Sequence, residues 1–401
     1  MALGGHMAHR RLHRGSGRTP FEVVRDFLLG LDRPVLLATL ALVACGLVVV
    51  YSASLDIAEA SLSRQALGAA LGLVAMGACY RFDYRRLSSL TRGLLVLDCL
   101  LMVLPLVPGL EYTAKGINGW IQIPFIHLTL QTSEIAKPVT VLLIASLVSR
   151  YGGRIDTLRD YVKVCATLVV PFLLILLQPD LGTGLVVLVG GAVVIVVGGA
   201  RRSWVLATLA ILVAIVSLVL ISDRFVDMAV GDDRSLLKDY QMNRLLVFLD
   251  PTHDTSGAGY NLQQALIAVG SGGLFGKGIG GATQASAGYL PEAHTDFAFA
   301  LLSEEFGFVG AVTLIVLYFL LILASLRVAL RCELLFGRLV IIGIVAMWAF
   351  QIFENIGMCL SLMPITGIPL PFVSYGSSSM VAQLLTVGLV LSVASHRTKA
   401  G

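Results

Sequence analysis

Charge is what this 401-residue chain has least of: Asp, Glu, Lys and Arg make up 13% of it, against 57% hydrophobic residues. With a mean hydropathy of +0.86, so little charge excludes a soluble globular domain and points to a protein embedded in a bilayer. Its six cysteines, at 45, 79, 99, 165, 332 and 359, lie within or beside apolar runs. They have no metal-ligand spacing and do not read as a disulfide framework. No Gly-x-Ser-x-Gly elbow occurs, and His294 stands too close in sequence to Asp296 for a self-contained triad, which argues against a serine nucleophile. A Walker A loop is missing as well. In GSGGLFGKG, residues 270–278, that motif would need glycine where Ser271 stands and Ser or Thr where Gly278 stands. The basic N-terminal stretch leads into a helix that runs past Tyr51 without a small-residue cleavage pattern, so it reads as a signal anchor.

What the chain does have is a succession of apolar runs long enough to cross a hydrocarbon core. They cover 35–53, 65–80, 93–108, 129–149, 162–177, 183–200, 204–221, 297–326, 336–361 and 378–395. The expected fold is therefore an all-α polytopic membrane protein with about ten transmembrane helices and a long extracytoplasmic loop, 223–296, between helices 7 and 8. A basic tail, 1–34, precedes the transmembrane domain, 35–395, and a short tail, 396–401, follows it.

Most of the 29 Lys and Arg residues fall on one side of this arrangement. Arg10, Arg11, Arg14, Arg18, Arg25 and Arg33 occupy the tail. Arg81, Arg85, Arg86, Arg92, Arg150, Arg154, Arg159, Lys163, Arg201, Arg202, Arg327, Arg331, Arg338, Arg397 and Lys399 occupy alternate turns and the C-terminus. The asymmetry places both termini in the cytoplasm. It also accounts for the net charge of +4 without nucleic acid as a partner.

Three segments on the opposite side are too polar for simple turns. Residues 109–130 carry Lys115, Asn118, Trp120 and His127. The loop 223–296 contains the apolar stretch LQQALIAVG, which argues for folded, membrane-associated structure. Residues 363–377 hold prolines 364, 369 and 371 and the run SYGSSS. The long loop breaks any symmetry between halves of the chain, which weakens a transporter built from inverted repeats.

Ionisable residues at membrane depth are costly and single themselves out. Glu134 and Lys137 are spaced i and i+3 on one helix, either as a structural ion pair or as the lining of a cavity for an anionic lipid headgroup. Asp98 and Glu354, each taken alone, read as hydrogen-bonded structural carboxylates. The glycines before Lys277 suit either a loose pyrophosphate cradle or a structural turn. Asp296, in LPEAHTDFAFALLSEEFG, heads a long apolar run. It is a candidate general base; the other reading is an N-cap made by Thr295 or Asp296, and the two roles can coexist.

The stretches YSAS (51–54), QTSEIAK (131–137), QPDLGTGL (178–185), LKDYQMNRLLVFLDP (237–251), GAGYNLQQALIAVGSGGLFGKG (257–278), LPEAHTDFAFALLSEEFG (290–307) and ENIGMCLSLMPITGIPLPFVSYGSSSM (354–380) together resemble the SEDS family of cell-wall polymerases. TGIPLP and the 237–251 stretch are more similar to its elongation, RodA-like members than to its division, FtsW-like members. The resemblance implies a ten-helix peptidoglycan glycosyltransferase of the bacterial inner membrane that polymerises lipid II into glycan strands on the outer side. Its implied partners are a class B penicillin-binding protein, lipid II, the nascent glycan chain and membrane lipids. Asp296 matches the acidic residue of the family's HTDF motif, and Glu134 and Lys137 match its paired charges. Lys115, Lys137, Arg244 and Lys277 become candidates for the phosphate side, with His294 and Ser374 completing the substrate-binding set. The resemblance fixes no cofactor, and a divalent cation such as Mg2+ could neutralise phosphate charge. Thr132 stands where the family usually has proline, Ser377 where it has glycine, and Asn118 and Gly119 where basic residues are common. The alternatives are a lipid II flippase, a non-catalytic scaffold or a septal polymerase.

Overall fold

The computed structural model describes residues 31–107, 111–114, 117–123, 128–230, 247–248 and 257–396. Ten long helices coincide with the ten predicted runs. They are α1 (Arg33–Asp56), α2 (Leu62–Arg81), α3 (Thr91–Val103), α4 (Thr132–Ser149), α5 (Leu158–Leu176), α6 (Leu181–Val197), α7 (Arg202–Val230), α10 (Ala298–Leu330), α11 (Leu335–Cys359) and α12 (Ser377–Ser395). Between α7 and α10 lie α8 (Ala258–Ser271) and the single turn α9 (Thr283–Ser286). Among the described residues, seven helices are both long and apolar enough to span a bilayer, and α6 is apolar but shorter. Two of the expected spans are less regular. α3 tightens into a 3-10 turn at Leu104–Leu106, which contains Pro105, and α5 carries Arg159, Asp160 and Lys163 in its first turns.

Local chemistry starts several of these helices. Asp32 caps α1 ahead of Pro34, Ser61 caps α2, Thr157 caps α5 and Asp180 caps α6, each through a side-chain oxygen that accepts an otherwise orphaned backbone N–H. Packing then sorts them. All residues of α4 from Thr132 to Val148 except the half-buried Ile135 are buried, which makes it the most enclosed helix of the bundle among those described. α7 is its opposite, with none of its described side chains buried from Arg202 to Val219, a surface suited to lipid. α2 lies close against α12 because both offer small residues: a Cβ added at Gly68 would sit 2.8 Å from Ser377 Cα, and one at Gly388 would sit 2.6 Å from the Met76 carbonyl.

Two segments expected on the outer side carry ordered elements besides the ten long helices. The first is a three-stranded antiparallel sheet in the order β1 (Glu111–Ala114), β2 (Ile117–Ile123), β3 (Leu128–Gln131), with Trp120 opposite both Tyr112 and Gln131. In the long loop, LQQALIAVG folds into α8, as its apolar pattern suggested, and α7 extends to Val230, into the stretch assigned to the loop.

Candidate functional site

Asp296 is half-buried at the end of a turned segment that leads into α10. Glu292 sits in the left-handed region at φ +57°, and its carbonyl accepts from the amides of Thr295 (3.1 Å), Asp296 (3.1 Å) and Phe297 (3.2 Å). A non-glycine residue held there stores about 1–3 kcal/mol of strain, which surrounding packing must hold in place. The N-cap of α10 is Phe297, with no side-chain cap bond, so neither Thr295 nor Asp296 caps the helix. Thr295 Oγ1 instead donates to Glu292 Oε2 at 2.8 Å.

The proline-rich loop between α11 and α12 forms the opposite wall. Gly367, at φ +75°, turns its backbone towards the carboxylate, and a Cβ there would lie 3.4 Å from Asp296 Oδ2. On its other side the same loop meets α6: a Cβ at Gly182 would lie 3.0 Å from the Thr366 carbonyl and 2.8 Å from Ile368 Cγ1. Thr366 Oγ1 donates to the buried Glu354 carboxylate, and Tyr318 of α10 donates to the Pro371 carbonyl at 2.5 Å.

Three consecutive carbonyls in front of α10 are each held from the C-terminal third of the chain. That of His294 accepts from Tyr375 N (2.8 Å), that of Thr295 from Ser374 Oγ (2.5 Å) and that of Asp296 from Asn355 Nδ2 (2.8 Å). Ser374 is thus occupied by backbone, accepting as well from Leu370 N at 2.8 Å. The His294 ring is buried and tilted against that of Tyr375, with centroids 5.4 Å apart.

A second polar group lies at the head of α4. Lys137 Nζ donates to Glu134 Oε1 at 2.6 Å, and both side chains are almost wholly buried, as an ion pair at this depth requires. Asp180 stands beside them, accepting from Gln131 Nε2 (3.4 Å) and from Thr183 N (3.0 Å). Burial pushes its carboxyl above the usual carboxylate range, against the opposing pull of the Thr183 hydrogen bonds and Lys137. Thr132 Oγ1, Ser133 Oγ and Glu134 Oε2 are buried with no hydrogen-bond partner among the described residues. Sequence reasoning quoted Asp180 without assigning it a role, although an Asp three residues before a Thr at a helix start is an N-cap signal.

Lys277 corrects an expectation. Its ammonium donates to Glu304 Oε1 (2.6 Å), Ser271 Oγ (2.8 Å) and Thr283 Oγ1 (2.8 Å), which occupies all three of its protons within the protein. The glycines before it form no phosphate cradle. α10 breaks at Gly307 (φ +66°, ψ −163°), and GSGGLFGKG threads into the break. Lys277 N and Gly278 N donate to the carbonyls of Glu304 (3.0 Å) and Glu305 (2.9 Å), while Phe308 N and Val309 N donate to those of Gly273 (2.9 Å) and Leu274 (3.1 Å). A Cβ at Gly276 would fall 2.1 Å from the Glu305 carbonyl, so the absence of side chains serves backbone-to-backbone packing. Glu305 is held in turn by Ser52 of α1 and by Gly280 N (3.1 Å). Lys115 and Arg244 lie outside the described residues.

Helices of this number around a half-buried carboxylate define a polytopic membrane protein with a polar site at one end of the bundle. The family model for FtsW, RodA and SpoVE, described as a cell cycle protein, matches residues 33–399, and the chain belongs to that family. It is similar to stage V sporulation protein E of Bacillus subtilis, at 36% identity over 91% of this chain and 97% of that protein. It is likewise similar to the peptidoglycan glycosyltransferase MrdB of Escherichia coli, at 36% identity over 92% and 94%. Among solved structures it resembles a chain of a peptidoglycan synthase complex that coordinates polymerization and crosslinking, with TM-score 0.73, 34% identity and coverage of 92% and 99%. It also resembles the rod shape determining protein RodA of Thermus thermophilus, with TM-score 0.65, 31% identity and coverage of 92% and 98%.

Proposed function

We propose that this protein is a peptidoglycan glycosyltransferase that polymerises lipid II into glycan strands, with Asp296 as its general base. The observation that carries the reading is the placement of Asp296: half-exposed, not used as the cap of α10, and set against the backbone of Gly367 by a strained, multiply held segment. Inverting transfer between two lipid-linked sugars needs a base for the acceptor hydroxyl and groups that stabilise the departing pyrophosphate. Asp296 takes the proton from the 4-hydroxyl of the acceptor sugar, whose oxygen attacks C1 of the other disaccharide as the bond to pyrophosphate breaks. The buried atoms at the head of α4 that have no hydrogen-bond partner among the described residues support a second binding region around Glu134, Lys137 and Asp180. Lys115 and Arg244 remain candidates for the phosphate side. Lys277, held by Glu304, has a structural role. The undecaprenyl tails lie along apolar helix faces such as that of α7 and contribute binding energy remote from the reacting atoms.

In this reading the site faces outward from the inner membrane, both termini are cytoplasmic, and a class B penicillin-binding protein cross-links the strands. The cation asymmetry of the loops supports the orientation. The similarity to a chain of a polymerizing and crosslinking complex supports the partner. The elongation role rests on the TGIPLP and 237–251 stretches. A divalent cation such as Mg2+ would neutralise charge on the substrate pyrophosphate. Purified protein with its transpeptidase partner and lipid II in detergent tests the proposal. Glycan chains form with the wild type and disappear with Asp296→Ala. Unchanged synthesis in that variant refutes the base, and lipid scrambling without polymer would favour a flippase.

A further inference from the structure

The segment that delivers Asp296 is not shaped by the helix it precedes. No side chain caps α10, Glu292 is held at a positive φ, and Asp296 lies just outside the first helical turn. Its conformation depends on the three donors that hold the carbonyls of His294, Thr295 and Asp296, and two of those donors are side chains. Ser374 Oγ accepts from Leu370 N, which directs its single proton at the Thr295 carbonyl. Asn355 divides its two amide protons between the Asp296 carbonyl and the Ile368 carbonyl, each at 2.8 Å. Ile368 follows Gly367, the residue against which the carboxylate rests, so Asn355 ties the acid and its facing wall to one point on α11. Asn355 is fully buried and Ser374 is 5% exposed.

We propose that Asn355 and Ser374 are positioning residues for the transfer reaction, acting through the backbone of Thr295 and Asp296 to aim the carboxylate, not through contact with substrate. The inference rests on the reading of Asp296 as base and assigns Ser374 a different task from substrate binding. A base displaced by about 1 Å can lose about a hundredfold in rate while binding is kept.

The test uses the full chain with its transpeptidase partner and fluorescent lipid II, comparing Asn355→Ala, Ser374→Ala, Ser374→Thr and Asp296→Ala. Ser325→Ala serves as the control, because it removes a buried hydroxyl bonded to the Leu321 carbonyl at the far end of α10. Ser374→Ala and Asn355→Ala are expected to lower kcat about tenfold or more with KM for lipid II within about twofold. Ser374→Thr, which keeps the hydroxyl, restores kcat, and Ser325→Ala leaves it unchanged. Against an Asp296→Glu background, where the carboxylate is already displaced, the losses shrink, as coupled residues require. A rise in KM at constant kcat would overturn the proposal in favour of direct substrate contact. So would a loss that merely follows the folded fraction measured by thermal unfolding. Should Asp296→Ala remain active, the base reading fails and this inference falls with it. Should Asp296→Ala be inactive while both positioning variants behave as wild type, this inference alone fails.

Discussion

Asp296 and Glu304 stand on the same stretch of chain, about two helical turns apart, and the protein treats them in opposite ways. Glu304 is fully buried, and its Oε1 accepts from Lys277 Nζ, Thr283 N, Thr283 Oγ1, Ser271 Oγ and Gln284 N. Asp296 is half-exposed, its backbone carbonyl accepts from Asn355, and its carboxylate lies against the turn at Gly367. The contrast separates two uses of a carboxylate in a membrane protein. One buried among fixed donors fastens a loop to a helix, whereas the half-exposed one is the candidate base.

Four substitutions break or sharpen that contrast. Asp296→Asn has the largest effect, a loss of about 10²–10⁴ in polymerisation rate with the thermal unfolding midpoint of the wild type, read by single-turnover assay and melting in detergent. Gly307→Ala puts a side chain where φ is +66° and a Cβ would lie 2.4 Å from Gly276 N. It is expected to cost about 3 kcal/mol or more of stability, seen as a lowered melting midpoint and faster proteolysis in the 270–278 segment. Lys277→Met leaves the Glu304 carboxylate with its amide and hydroxyl donors alone. A destabilisation of about 2 kcal/mol follows, and equal melting of variant and wild type would show that the pair is not needed. Thr140→Val is the mildest, removing the hydroxyl that donates to both oxygens of buried Asp98 (3.0 and 2.9 Å), at a cost of about 1–2 kcal/mol by denaturant unfolding.

How far each region could be read in advance follows the range of the interactions involved. The ten helices were legible because hydropathy along a window is a local property, and lipid leaves the backbone few alternatives to helix. α8 was legible for the same reason. The hydrogen-bond partners of the charges were not. Ser52 and Glu305 meet across 253 positions, and Asn355 and Asp296 across 59. The N-cap alternative for Asp296 was a fair local reading, displaced because the chain enters α10 through the turn around the Glu292 carbonyl. The glycine-rich segment kept two readings open until its amides were seen paired with carbonyls freed by the break at Gly307.

Composition and periodicity were enough to establish a multi-helix membrane protein and the positions of its spans, and the resemblance of short motifs to a known family marked Asp296, because all of these are written in neighbouring residues. Which acids are saturated with donors, what Lys277 holds, and how Asn355 and Ser374 steady the candidate base emerged from packing. The reason is that a buried polar group takes whichever partner the assembled helices bring within about 3 Å, however distant in the chain.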